Sequence, residues 1–417
     1  MKQDEHSLDS VNPRVMPEEQ NEFMRRMELR DVQRRFALAV GQEAKAWNRV
    51  ENISDWEKFR DNRLESMKRV FGGPWESALQ GRPVSVVTGE IRASGYVVRK
   101  IVYETQPDVY VPALLYLPEP VPEKMPGIQI CHAHHQPKQQ NELQDMGVNW
   151  ARNGCAVLIP DMIGHGERRQ EPFGGREGYY SRYYEAVQLR LAGENLAGWM
   201  VWDLVRGVDI LLDLPGVDPD AIIMIGAVAG GGDLSAMATA LDPRVKCSVP
   251  FNYGKGQKWR EDLHDVTPQG TNLAKWPYWE TPRGLTRSAS DGFFPWLIVA
   301  SAAPRFLISA HEFAWDSESD EGWQRTKQIY SLHGAEERLG SQKGEGKCAP
   351  GAGNTHCTNV GSLHRSDLYP YFEKWFGMPV PEEIEERRDE AELVCFSGEI
   401  GEKNRTVQDL AGEKAGR

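Results

Sequence analysis

The segment VDPDAIIMIGAVAGGGDLSAMATALDPRV, residues 217–245, constrains the fold more than any other part of the chain. An apolar run of strand character ends at Gly226, a tight glycine-rich turn follows, and a helix is expected from about Gly231. Glycine tolerates the close packing and unusual angles of such a turn. Further short apolar runs recur between helical stretches: GIQIC (127–131), AVLIP (156–160), VKCSV (245–249) and RFLISA (305–310). Buried strands alternating with helices predict an α/β fold with a mostly parallel central sheet covered on both faces. The longest helical stretch, LAGWMVWDLVRGVDILLDL, sets Leu196, Met200, Leu204, Val208 and Leu211 on one stripe.

Three regions follow from the changes of period. Residues 1–84 read as a helical N-terminal extension packed on the main domain, with the first fifteen or so disordered. Residues 85–380 form the α/β domain. It opens with an antiparallel hairpin of TGEIRASGYVVRKIVYET and VYVPALLYLP, turning at Gln106-Pro107-Asp108. Residues 381–417 are a C-terminal helix and tail. Between 252 and 296 the periodicity fails and aromatic residues accumulate, among them Trp259, Trp276, Trp279 and Trp296. A long non-periodic insert of this kind suits a lid or a binding wall.

Composition removes several functions. The net charge of −12 and the lack of any basic run leave nucleic acid without an electrostatic footing. No apolar stretch approaches a membrane span. The N-terminus MKQDEHSLDSVNPRV has no signal-like apolar core. With six cysteines and no CxxC, a cytoplasmic, reducing location is expected, Cys348 and Cys357 being the pair a disulfide would use. The partner expected is a small-molecule substrate, with homo-oligomerisation left open.

The strand–turn–helix context is the one a G-x-S-x-G nucleophile elbow requires. At its centre, in Gly226-Ala227-Val228-Ala229-Gly230, stands Val228, which has no lone pair with which to attack a carbonyl. A dinucleotide-binding turn fits worse, because GAVAGGG lacks the G-x-G-x-x-G spacing.

Several motifs occur in one order: Cys131-His132 at a strand end, WARNGCAVLIPDMIGHGERR, WMVWDLVRGVDILLDLPGVDPDAI, the gapless elbow, APRFLISAHEF, YSLHGAEERL and a final helix. Together they resemble bacterial α/β hydrolases of the acetyl-xylan-esterase-like or dienelactone-hydrolase-like group. The resemblance covers most of the chain and implies the α/β-hydrolase fold. It puts the nucleophile position on Val228, the catalytic histidine on His356 in GNTHCTN, and the acid on Glu312 or Asp316. Glu312 is nearer the strand end. As a plain loop histidine, His356 would have no such role, and Glu312 would be a solvated carboxylate. Ala229 joins the oxyanion set, with the loop His132-Ala133-His134-His135-Gln136 after the strand GIQIC.

That loop admits two readings. One is a donor-rich oxyanion loop, using His132, His134 and His135. The other is a metal site, since H-x-H is a chelating pair, although no third or fourth ligand is evident. The donor reading is preferred and no cofactor is expected. His165 in GHGER ranks below these as a structural turn residue. Trp276 and Trp315 are candidates to stack on a sugar or aromatic substrate, against core packing as the plainer role.

Three accounts of the chemistry remain open. The chain is a silent ligand-binding homologue. Or it is an enzyme in which His356, oriented by its acid, activates water or removes a proton from substrate carbon. Or Val228 substitutes the nucleophile of an active esterase. The retained histidine, acid and histidine loop favour the second.

Overall fold

The computed structural model describes residues 27–72, 75, 81–134, 137–170, 179–227, 230–254, 286–346, 352–396 and 398–416. The first fifteen residues, Cys348 and most of the aromatic insert, including Trp259, Trp276 and Trp279, lie outside them.

Residues 1–49 and 50–417 form two units. The described part of the first is dominated by the helix Met27–Trp47. The second begins with the helix Ile53–Phe71, started by the Asn52 side chain accepting from Asp55 N–H and ended at Gly72, whose φ is 60°. This helix buries Trp56 and Phe59 against Trp296, with ring centroids 6.5 and 6.2 Å apart.

Nine strands make one sheet in the order β1-β2-β3-β5-β4-β6-β7-β8-β9. They are β1 (Ser85–Ala93), β2 (Tyr96–Gln106), β3 (Val109–Pro118), β4 (Met125–Cys131), β5 (Ala156–Pro160), β6 (Val217–Gly226), β7 (Cys247–Pro250), β8 (Phe306–His311) and β9 (Leu339–Lys343). From β5 through β4 to β9 every neighbouring pair is parallel, while β1, β2 and β3 are antiparallel to one another and β3 to β5. The molecule is therefore an α/β-hydrolase fold with a mostly parallel sheet flanked by helices.

The entry region departs from the expected single hairpin. TGEIRASGYVVRKIVYET folds back on itself at Ser94-Gly95, pairing Ala93 with Tyr96. Gly95 adopts a φ of 84°, a left-handed angle that lets a two-residue loop reverse the chain. The result is a three-stranded meander. One strand, β9, carries the polar run LGSQK and has no apolar signature.

The parallel strands are buried on both faces, as their unbroken apolar runs require. Ile128, Ile130, Val157, Ile159, Ile223, Ile225, Val249 and Ile308 form one core with residues of the helices Asn141–Arg152 and Ser362–Phe376. The other long helix, Leu196–Leu212, is capped by Asn195 and buries most of its length.

The charged C-terminal run is mostly extended and tied to the domain. Glu383 pairs with Arg365, and Arg387 pairs with Asp145. Ile384 N–H donates to Asn149 Oδ1, at 2.9 Å. Short helices, Gly398–Lys403 and Val407–Ala415, follow. Among the described residues no helix is long and apolar enough to cross a membrane.

Candidate active site

In a parallel sheet, functional loops collect at the carboxyl ends of the strands. Here the loops after β4, β6, β7, β8 and β9 carry nearly every candidate residue.

The elbow is dictated by its glycines. Strand β6 ends at Gly226, and the helix Gly232–Leu241 starts six residues later. A Cβ on Gly226 would strike Ser235 and the Gly231 carbonyl, one on Gly231 would strike the Cys131 carbonyl, and one on Gly232 the Phe251 carbonyl. Gly230 has a φ of 98°. Ala227 N–H donates to Cys131 O at 2.7 Å, which keeps the start of the turn against the end of β4. The two central positions, Val228 and Ala229, lie outside the described residues, as do His135 and Trp276.

The chain places Glu312 directly after β8, with its side chain buried. Glu312 Oε1 lies 2.7 Å from His356 Nδ1 and accepts from Cys357 N–H at 2.7 Å. Oε2 accepts from Asn252 Nδ2 at 3.3 Å, and Glu312 N–H donates to Asn252 Oδ1 at 2.9 Å. The backbone carbonyl of Glu312 accepts from Thr355 Oγ1 and lies 3.1 Å from His364 Nε2. Burial pushes the Glu312 carboxyl above the ordinary glutamate value, and the Cys357 N–H, His356 and Asn252 act in the opposite sense. The His356 ring stacks on Phe313 at 5.7 Å and keeps 34% of its side chain exposed.

Asp316, four residues further on, is exposed and turns away into its own loop, where it accepts from Ser319 N–H at 3.3 Å. Those Ser319 bonds hold its carboxyl below the usual range. Of the two acids proposed from the sequence, Glu312 is the one bonded to His356.

The histidine loop is more constrained than its sequence suggests. Met162 N–H donates to His132 Nε2 at 3.0 Å, so the ring proton sits on Nδ1, which lies 2.8 Å from Ala133 O. With both nitrogens so engaged, His132 is neither a ready oxyanion donor nor a ready metal ligand. His134 is buried, and its carbonyl lies 2.8 Å from His165 Nε2. His165 thus bonds backbone in a turn, its Nδ1 being 3.2 Å from Ile163 O. Trp315 is buried between His311 and Trp323, with centroids 4.1 and 5.4 Å away, and its Nε1–H donates to Asp320 at 2.8 Å. Among the described residues no group of three or more His, Cys, Asp and Glu side chains is arranged to hold a metal.

Other residues that shape the site had no sequence signal. Asn359 Oδ1 accepts from Ala133 N–H at 2.7 Å, which joins the His356 loop to the histidine loop. Glu142 accepts from the N–H groups of Thr358 and Asn359, at 3.2 and 2.5 Å. Buried Lys138 spans Asp161, at 2.8 Å, and Glu167, and so fixes the far end of the histidine loop.

Residues 49–253 match the acetyl xylan esterase (AXE1) family. Among solved structures, a methylesterase superposes with a TM-score of 0.63 at 17% identity, over 91% of this chain and 78% of its own. A Bacteroides fragilis NCTC 9343 protein assigned as an acetyl xylan esterase gives a TM-score of 0.57 at 15% identity, over 71% of this chain and 77% of its own. No curated protein matches the chain. In sequence, residues 49–253 are thus similar to the acetyl xylan esterase family, and in fold the chain is similar to solved esterases of the α/β-hydrolase type.

Proposed function

We propose that the protein is an esterase-type hydrolase in which His356 activates water directly, without a covalent acyl-enzyme. The observation that carries this reading is the buried Glu312 carboxylate 2.7 Å from His356 Nδ1. In the neutral ring Nδ1–H donates to that carboxylate, so Nε2 holds the lone pair. Nε2 takes a proton from water as the water oxygen bonds to the ester carbonyl carbon. The negative charge of Glu312 stabilises the imidazolium that forms. The tetrahedral intermediate then expels the alcohol, which recovers the proton from Nε2. Water supplies both the hydroxyl of the acid product and the proton of the alcohol.

Val228 is the reason for preferring water to a serine route, because valine offers no nucleophile. The oxyanion role falls to the histidine loop through His134 and His135, and to the backbone at Ala229. The family match supports an ester of a carbohydrate as substrate, with Trp276 of the insert offering a face for the sugar ring. The buried thiols Cys155, Cys247 and Cys357 are in keeping with a reducing compartment.

The test is a panel of acetylated sugars, sugar-acid methyl esters and lactones, with the parent protein and His356→Ala. Hydrolysis that depends on His356 is the expected result. Hydrolysis indifferent to His356 overturns the mechanism. Ligand binding without turnover of any ester points instead to a silent homologue.

A further inference from the structure

We propose that Asn252 is a positioning residue for the acid–base pair: by gripping Glu312 at both its backbone and its carboxylate, it fixes the oxygen that orients His356. The inference rests on the role given above to His356 and extends it to a residue in the loop after a different strand.

Asn252 lies two residues beyond β7, next to an isolated bridge between Phe251 and Ala310 of β8. Its N–H donates to Ala310 O at 2.9 Å, so its backbone is anchored beside the acid strand. Its φ is 57°, a left-handed conformation that asparagine tolerates better than most residues. From there the side chain makes a reciprocal pair with Glu312: Oδ1 accepts from the Glu312 N–H, and Nδ2 donates to Oε2. The other carboxylate oxygen is taken by His356 and the Cys357 N–H. The carboxylate is therefore held on both oxygens, from two different loops. Without the Nδ2 donor, Oε2 loses its bond and the carboxylate is free to swing about Oε1. The titratable groups around the pair are His356 and Cys357 from the loop after β9, His364 from the helix Ser362–Phe376, and Glu142 near Cys357.

Two variants separate positioning from folding. Asn252→Gly keeps the left-handed backbone and removes both side-chain bonds. Asn252→Asp keeps the acceptor for the Glu312 N–H but replaces the donor with a second carboxyl. In histidine-labelled full-length protein, the low-field Nδ1–H proton of His356 is expected in the parent and lost in Asn252→Gly. On any ester the parent hydrolyses, Asn252→Gly should lower kcat about tenfold with KM unchanged. In Asn252→Asp the two carboxyls retain a shared proton, so the acid limb of kcat/KM should move up by about one pH unit. A retained His356 signal in Asn252→Gly, or an acid limb in Asn252→Asp that matches the parent, overturns the proposal. The proton signal needs no turnover, so an inactive parent would refute the hydrolase reading while leaving this one open to its own test.

Discussion

Glu312 and Asp316 stand four positions apart, and solvation decides between them. Glu312 is buried and held by donors from three residues, whereas Asp316 is exposed and bonds only within its own turn. His356→Ala should therefore lower kcat/KM at least about a hundredfold, the scale of a positioned base. Glu312→Gln should cost less than that yet more than about tenfold, and Asp316→Asn should change the rate by less than about twofold, all measured on one substrate. The raised carboxyl of Glu312 adds a pH signature. Its protonation on acidification should begin above the ordinary glutamate value, and the loss of its charge beside His356 should contribute to the acid limb of the rate profile. Stability carries the opposite sign. A carboxyl whose folded pKa is raised favours the native state at low pH, and that contribution fades as pH climbs from the unfolded value through the folded one. Urea midpoints of Glu312→Gln should lack that fall. The sequence shows two carboxylates after one strand, with Glu312 nearer its end, but says nothing of which is dry.

At the scale of elements, the elbow was legible because its signal is steric. A strand can pass into a helix this tightly only where Cβ atoms are missing, and Gly226, Gly231 and Gly232 each sit against backbone or a buried hydroxyl. Gly232→Ala should destabilise the protein by about 3 kcal/mol or more, because the Phe251 carbonyl in its way belongs to the backbone. Gly412, exposed in the helix Val407–Ala415 with nothing near its would-be Cβ, is the control. Gly412→Ala should stabilise by about 0.5–1 kcal/mol. Strand β9 and the turn at Ser94-Gly95 were missed for the converse reason. LGSQK has no apolar run to mark it, and the meander's turn sits inside a sequence that alternates without interruption. The C-terminal run has the same character. PEEIEERRDE opens the region expected as a C-terminal helix and tail, yet residues 381–389 are not helical and Glu383 meets the buried Arg365 with two bonds, at 2.9 and 2.5 Å. Burial works against the ionised Glu383, but its bonds from Arg365 and Tyr369 prevail and hold its carboxyl low. Glu383→Gln should cost about 2 kcal/mol in urea denaturation. For a carboxyl depressed in this way, the deficit should be present at neutral pH and shrink as the parent loses the same interaction on acidification.

Across the whole molecule, the site is assembled from loops whose strands are far apart in the chain, and this limits what a sequence can disclose. The positions of the elbow, Glu312 and His356 follow from the order of motifs. The bonds that organise them, such as Asn359 to Ala133 or Asn252 to Glu312, join residues 226 and 60 apart. The same assembly bears on the histidine loop. A chelate through His132 would have to displace the Met162 N–H from Nε2 or reverse the tautomer that Ala133 O stabilises. A chelator is accordingly expected to leave turnover unchanged, and His134→Ala to lower kcat with little effect on KM. The absence of a hydroxyl at Val228 makes the last expectation the sharpest. If water attacks the ester directly, no acyl-enzyme forms, and rapid mixing should show product rising linearly from the first turnover with no burst. Serine-directed phosphonates should leave residues 226–236 unlabelled, because the next hydroxyl, Ser235, is buried and donates to Gly232 O at 3.0 Å. A stoichiometric burst, or a phosphonate adduct mapped to that segment by mass spectrometry, would show that a hydroxyl performs the attack and that water activation by His356 is only the second half of the reaction.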